Sequence, residues 1–355
     1  MRIALIAPPF IPVPPKNYGG TELFIAQLAR GLRELGIEPV VYTNGESAID
    51  VERRWLYAKA QWPIEGEIYG NLTDVNHTAW AVADAARDCD IIHLNNVPGL
   101  VHSRFVELPF VYTVHHVHEQ PLSEFYRYHS RVRYVTISDF QRRQEPMQHI
   151  RTIHHGIDLD EYRLQEKKQP YLAFIGRIAP VKGTHLAIQV AKRAGLPLKI
   201  AGEVQPIFRD YYEKEIEPHL DGKNVEYVGE ADLSAKNELL GNATAMLFPI
   251  QWDEPFGLVM IEAMACGTPV IAFPGGAVEE VVRESVSGAI CRSVEEMATM
   301  VRDAGQYRPA EIRAYVAQNF SREVMAGKYA ALYTELMEQG TTGVADTAAA
   351  KPLAA

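Results

Sequence analysis

Residues 252–272 read WDEPFGLVMIEAMACGTPVIA, and the punctuation of this stretch decides the fold. Pro255-Phe256-Gly257 opens an apolar helix from Leu258 to Ala265, Gly267 stops it, and Pro269 to Ala272 is a short buried strand. The same stretch sets Glu254 before the helix and Glu262 inside it. At 1.5 Å per residue, Glu262 lies roughly 8 Å from a helix start near Gly257. That is about the reach of a sugar diphosphate over the helix end, where unpaired N–H groups favour phosphate and a carboxylate stands on each side for hydroxyls. A surface glutamate before a turn and a second one on a polar helix face would show the same spacing. The continuation, Phe273-Pro274-Gly275-Gly276-Ala277-Val278-Glu279-Glu280, adds a turn whose glycines can bring backbone close to a ligand, with Glu279 in the first turn behind them.

Outward from this stretch the strand and helix alternation continues. In the second half, strands are expected at Tyr171 to Ile175, Leu198 to Ala201, Val225 to Val228 and Ala245 to Phe248, with helices at Thr184 to Ala194, Pro206 to His219 and Ser234 to Gly241. In the first half, strands are expected at Ile3 to Ala7, Pro39 to Tyr42, Ile91 to Leu94, Phe110 to Val114 and Tyr134 to Ile137, with helices at Thr21 to Leu35 and Thr78 to Asp88. Short, continuously apolar strands between amphipathic helices indicate mostly parallel sheets covered on both faces. The expected class is α/β, with two doubly wound, Rossmann-like domains facing across a cleft. The first takes residues 1–165 and the second 170–320, joined by the polar, proline-ended linker Gln165 to Pro170. A final helix, 321–338, carries Val324, Tyr329, Leu332, Tyr333 and Leu336 and should pack back on a domain. The alanine-rich tail, 339–355, is expected to be disordered.

With 355 residues and 47% hydrophobic content the chain can bury two cores. A net charge of −10 argues against nonspecific attraction to nucleic acid and leaves local basic sites open. No run approaches 18 uncharged apolar residues, so no membrane span is expected. The opening Met1 to Ala7 runs into Pro8, Pro9 and Pro12, which suits a first strand better than a signal peptide. Three widely spaced cysteines, Cys89, Cys266 and Cys291, resemble no disulfide framework and fit a reducing, cytoplasmic setting.

Further groups gather at strand ends. Lys16-Asn17-Tyr18-Gly19-Gly20-Thr21 can present N–H groups to a phosphate or sugar, but it lacks the G-x-G-x-x-G spacing of a dinucleotide site. Arg177 follows a buried strand and Lys182 precedes a helix, so both can pair with a diphosphate and neutralise charge on a leaving nucleotide without a metal. Among His115, His116 and His118, the first stands where an apolar strand ends and suits a hydrogen bond to a reacting sugar. No acidic pair completes a metal shell beside them. Asp88-Cys89-Asp90 reads as a helix-to-strand turn and Asp158-Leu159-Asp160 as a turn before the linker, so no metal and no cofactor is expected.

From Met1 to about Met337 the chain resembles the retaining glycosyltransferases of sequence family 4, with the GT-B arrangement of two Rossmann-like domains. The most specific shared element is Glu-x7-Glu, here Glu254 to Glu262, followed by Gly275, Gly276 and Glu279. The resemblance implies that Arg177 and Lys182 hold a donor diphosphate, that Glu262 binds the ribose hydroxyls, and that Glu254 contacts the transferred sugar. Backbone N–H groups of Phe256, Gly257 and Leu258 would line sugar and phosphates. Thr113-Val114-His115 matches the family's Thr-x-His, which sets His115 near the sugar, and Gly19 and Gly20 match its first glycine loop. His155-Gly156-Ile157-Asp158 stands where the family commonly has Asn-Gly-Val-Asp, which leaves the role of His155 open. The implied reaction is metal-free, retaining transfer of a hexosyl group from a UDP- or GDP-hexose to the hydroxyl of a glycan, lipid-linked sugar or small metabolite. A sugar-nucleotide 2-epimerase and a non-catalytic nucleotide-sugar or glycan-binding protein are the competing readings. Neither donor base nor acceptor is legible in the residues.

Overall fold

A computed structural model of the chain describes residues 1–16, 19–64 and 66–340. They fall into two compact units, the first made of residues 1–137, 141–154 and 323 onward, the second of residues 138–140 and 155–322.

In the first unit the chain runs β1 (Arg2–Ile6), α1 (Gly20–Glu34), β2 (Glu38–Thr43), β3 (Glu52–Trp55), α2 (Glu67–Ala85), β4 (Ile91–Leu94), β5 (Phe110–Val114), α3 (Gln120–Tyr126), β6 (Arg133–Thr136), α4 (Asp139–Gln144) and β7 (Ile150–Thr152). The strands form one parallel sheet in the order β3-β2-β1-β4-β5-β6-β7. Successive side chains of β1 point to opposite faces: Ile3 and Leu5 join the core beneath α1, while Ala4 and Ile6 join the core beneath α2.

The second unit continues with β8 (Gln169–Ile175), α5 (Thr184–Ala194), β9 (Leu198–Ala201), the single turn α6 (Arg209–Tyr211), β10 (Val225–Gly229), α7 (Leu233–Asn242), β11 (Ala243–Phe248), α8 (Leu258–Ala265), β12 (Val270–Ala272), α9 (Val278–Val281), β13 (Gly288–Ile290), α10 (Val294–Arg302) and α11 (Pro309–Asn319). Its parallel sheet has the order β10-β9-β8-β11-β12-β13. Both sheets therefore reverse direction of growth beside their first strand, between β1 and β4 and between β8 and β11. The crevice beyond the strand ends at such a reversal is where open α/β sheets take ligands.

The last helix, α12 (Arg322–Gly340), belongs with the first unit. Its buried face is Met325, Tyr329, Leu332, Tyr333 and Leu336, while Val324 of the expected face is only half-buried. Thr113 and the fully buried His93 receive it through polar contacts: His93 Nδ1 lies 2.6 Å from the Tyr333 hydroxyl, His93 Nε2 2.8 Å from Thr113 Oγ1, and Thr113 Oγ1 2.8 Å from the Tyr329 hydroxyl. Among the described residues, no helix is long and apolar enough to cross a membrane.

Several elements differ from expectation. The helix expected from Thr78 begins at Glu67, because its first turns leave Ile68, Tyr69 and Leu72 exposed and so offer no amphipathic period. Strand β3 has no apolar pattern; it is a polar edge held by Arg54, whose guanidinium is 2.6 Å from both Asp84 and Asp88. The helix expected over 206–219 is present over that range but irregular, passing through consecutive 3-10, α, π and 3-10 turns. The expected linker lies at the surface, exposed except for the half-buried Lys168, but it is tied down. Lys168 Nζ donates to the carbonyls of Gly241 and Cys266 at the C-terminal ends of α7 and α8, and β8 already starts at Gln169. The compact units divide at His154/His155, ahead of residue 165, because Arg313 holds the carbonyls of Leu159 and Tyr162 to the second unit. Helix α12 runs on to Gly340, past the 338 expected. The rest of the expected tail lies outside the described residues.

Candidate active site

In the second unit, the loops leaving β8 and β11 are tied together by Gln251 N–H donating to the Val181 carbonyl at 2.8 Å. This brings two of the expected residues into direct contact. Lys182 Nζ is 2.6 Å from Glu254 Oε2, and Trp252 Nε1 donates to the same oxygen at 3.0 Å. The ammonium also lies 4.5 Å from the centre of the Trp252 ring, a cation–π distance. Both ends of the pair are largely shielded from solvent, with 16% and 10% of their side-chain surfaces exposed. Glu254 is therefore a fixed acceptor and Lys182 a cation held in place, each compensating the other's desolvation.

The glycine turn supports this pair from behind. Ala277 N–H donates to the Glu254 carbonyl at 2.8 Å, and Gly276 has φ 60°, with its Cβ position only 2.1 Å from that same oxygen. Any side chain at 276 would displace the Glu254 backbone. Glu279, expected in the same group, is exposed at the start of α9 and makes no side-chain hydrogen bond among the described residues.

Helix α8 starts at Gly257, whose φ of 82° suits glycine, and it has no side-chain cap; Met260 N–H already donates to the Gly257 carbonyl at 2.9 Å, so the N–H groups of Leu258 and Val259 remain as donors. Phe256 before it is buried. Its ring meets those of His155, at 5.0 Å and 77°, and Phe320, at 5.9 Å. His155 thus braces the Pro-Phe-Gly turn through edge-to-face packing, which answers the question its sequence position raised.

Glu262, 2% exposed, has a second lysine. Lys236 Nζ of α7 lies 3.0 and 3.2 Å from its two oxygens, and the Tyr162 hydroxyl donates to Oε1 at 3.0 Å. Burial, with the Glu262 charge beside it, pushes the Tyr162 hydroxyl well above its usual range, so it stays a donor. Neither Lys236 nor Tyr162 was singled out from the sequence. Arg177 stands apart from these pairs. Its guanidinium is 3.5 Å from Gln205 Oε1 and 6.0 Å from the Phe208 ring, and among the described residues no carboxylate lies within 4.0 Å of it.

In the first unit, Gly19 is the buried start of α1 and Gly20 its exposed first residue; Asn17 and Tyr18 lie outside the described residues. Glu22 in the first turn folds back to within 2.8 Å of the Gly19 Cβ position, and burial raises its carboxyl to about 7. His115 follows β5. Asn95 donates its amide to the Ile6 carbonyl, so its oxygen faces His115 Nε2 at 2.9 Å and fixes the hydrogen there. Phe24 packs on the imidazole at 4.9 Å. His116 and His118 are drawn elsewhere, the first to Tyr126 and the second to Ser123 and Glu145. Asp90 accepts from Arg2 N–H and Asp158 pairs with Arg322, so both Asp-x-Asp strings serve local structure.

Residues 158–311 match the profile described as glycosyl transferases group 1, and residues 18–161 that of glycosyltransferase family 4. The chain is 30% identical over 201 residues to the glycogen synthase of Mycobacterium tuberculosis, covering 52% of this chain and 48% of that protein. It is 28% identical over 229 residues to the D-inositol 3-phosphate glycosyltransferase of Geodermatophilus obscurus, covering 56% and 47%. The chain thus spans about half the length of the curated relatives it matches. Its fold is that of the sucrose-phosphate synthase from Thermosynechococcus elongatus, with a TM-score of 0.79 at 20% identity over 95% of this chain and 99% of that one. Anabaena HepE, solved with UDP and glucose, gives 0.74 at 18% identity over 94% and 100%. Each of the two parts of the chain thus matches a glycosyltransferase profile, and each is Rossmann-like, as in GT-B proteins.

Proposed function

We propose that this chain transfers a hexosyl group from a nucleotide diphosphate sugar, a UDP- or GDP-hexose, to an acceptor hydroxyl with retention of anomeric configuration. The observation that carries the reading is the Lys182–Glu254 pair at the uncapped start of α8. There a cation, a shielded carboxylate and free helix N–H groups meet beyond the reversal of the sheet. A diphosphate needs the first and third, and a sugar hydroxyl needs the second.

In this reading Arg177 and Lys182 neutralise charge on the departing diphosphate, so no metal is essential. N–H groups of Phe256, Gly257 and Leu258 line the sugar and phosphates, and Gly19 and Gly20 offer theirs in the first unit. Glu254 accepts from a hydroxyl of the transferred sugar, Glu262 from the ribose, and His115 hydrogen-bonds the sugar. The acceptor oxygen bonds to the anomeric carbon on the face that the diphosphate leaves, and the acceptor's proton passes to the departing diphosphate. Glu254 and Glu262 serve opposite ends of the donor, which disfavours hydrolysis by a flanking carboxylate pair. The HepE complex with UDP and glucose, on the same fold, agrees with such a donor. The acceptor is a glycan, a lipid-linked sugar or a small metabolite.

A panel of nucleotide sugars, read by mass spectrometry with mixed hydroxyl acceptors, tests the reading. Transfer that falls in Lys182→Ala is the expected result. Formation of a C2 epimer without any acceptor would establish the epimerase instead, and binding with no turnover on any acceptor would leave only a binding protein.

A further inference from the structure

The second lysine–carboxylate pair has no counterpart in the reading so far. Glu262 lies in the second turn of α8, Lys236 in the first turn of α7, and Tyr162 in the segment before β8. These three come from parts of the chain 26 and 100 residues from Glu262 and meet within 3.2 Å. We propose that Lys236 and Tyr162 are positioning residues that hold Glu262 as a gauge of the donor's ribose, so that the site selects ribonucleotides over 2′-deoxyribonucleotides. The inference rests on the donor reading of the site.

A carboxylate offers about four lone-pair directions. Lys236 bridges both oxygens from one side and Tyr162 takes a second position on Oε1, so the direction left open belongs chiefly to Oε2. A carboxylate clamped on two sides accepts from a hydroxyl in one place only, which is what discrimination between sugars differing by one hydroxyl requires. Access is graded in the same sense. Glu262 exposes 3% of its side chain and Lys236 20%, so the ammonium is the more accessible end of the pair. The Lys236 ammonium has three N–H groups, and among the described residues its hydrogen bonds go only to the two Glu262 oxygens. It retains a donor for a ribose oxygen beside the carboxylate that accepts from the ribose hydroxyl. A vicinal diol, both donor and acceptor, satisfies the two together. A 2′-deoxyribose leaves a shielded charge with one hydrogen bond fewer.

An ion pair that merely joins α7 to α8 would affect stability and not sugar selection, and this separates the two roles. The measurement is calorimetric titration of the full-length protein with UDP, GDP and their 2′-deoxy forms, in wild type, Glu262→Gln, Lys236→Met and Tyr162→Phe. Wild type is expected to prefer the better-bound ribonucleotide roughly tenfold to a hundredfold, the range of a hydrogen bond to a charged group. Lys236→Met should shrink that preference about tenfold and Tyr162→Phe by a smaller factor, with binding of the deoxy form little changed. The milder Tyr162→Phe decides the question should Lys236→Met fail to fold. A preference lost in Glu262→Gln but intact in both other variants would overturn the gauge alone. A wild type without preference, or a preference that survives in Glu262→Gln, would overturn the assignment of Glu262 to the ribose, and the gauge with it.

Discussion

Glu254 and Lys182 stand 2.6 Å apart, so a diphosphate arriving at Lys182 meets a cation already engaged by a carboxylate. Two acceptors then share one ammonium, and the ligand's gain is reduced by what Glu254 loses. Replacing Glu254 by Gln keeps the shape and the Trp252 contact but removes the competing charge. We expect Glu254→Gln to bind nucleoside diphosphate at least as tightly as wild type in calorimetry, while sugar transfer falls by about a hundredfold, as when one charge-stabilising group is deleted. Weaker diphosphate binding in that variant would show that Glu254 helps hold the phosphates. Both glutamates and Lys182 were legible from spacing and from their places beside glycines. Lys236 was not, because it sits in a helix with no motif around it. Its approach to Glu262 is a product of α7 packing on α8, which spacing along the chain does not encode.

At the scale of elements, the loop carrying Glu254 is held by the turn that follows β12. Gly276 approaches the Glu254 carbonyl so closely that Ala there requires the backbone to move, in addition to the strain of φ 60°. Gly276→Ala is therefore expected to lower sugar transfer as strongly as direct replacement of Glu254 does, with a loss of stability of about 1–3 kcal/mol in urea unfolding. Full transfer with lowered stability would disconnect the turn from the site. The buried strands and α8 were readable because their apolar runs and glycine stops follow from parallel pairing between two layers of helices. The elements that escaped were those stabilised by something other than apolar period. Strand β3 is held by a guanidinium between two carboxylates, the early turns of α2 expose their apolar residues, and Lys168 was taken for a linker residue although it closes two helix ends. Each is a polar or tertiary device, and none has a periodic signature.

At the scale of the whole chain, the first unit depends on residues at both of its ends, and its histidines make that dependence sensitive to acid. Burial lowers His93 from 6.5 to about 3, and His77 and His129 each to about 4. The unfolded chain binds protons that these histidines refuse in the folded unit, so their contribution is fully present above about pH 6.5 and declines as pH falls toward the lowered values, while the buried Glu22 and Asp74 carboxyls, raised to about 7 and about 6, act in the opposite sense and offset part of the loss. Each histidine contributes a slope of about 1.4 kcal/mol per pH unit between its two values. Urea unfolding of the first unit at pH 7 and pH 5 should show this loss, and His93→Gln should reduce it by one proton's share; an unchanged slope would remove His93 from the account.

The same histidine ties the unit to α12. Ending the chain after Ser321 strips Met325, Tyr329, Leu332, Tyr333 and Leu336 from a core that otherwise comes from the stretch between Ile3 and Ile153. At about 1.5–3 kcal/mol for each large side chain buried, the loss is on the order of 10 kcal/mol. That is comparable with the entire stability of a domain. It also leaves the His93 and Thr113 side chains without their tyrosine partners. The second unit loses only Arg322, the partner of Asp158. The truncated chain is therefore expected to lose the protected amides of β1, β4 and β5 in hydrogen exchange and to lose all sugar transfer, yet to keep measurable nucleoside diphosphate binding through the second unit, weakened by loss of the Gly19 and Gly20 N–H groups. If β1, β4 and β5 stayed protected in the truncated chain, α12 would be an accessory to the first unit, and the polar contacts at His93 would have no part in holding that unit together.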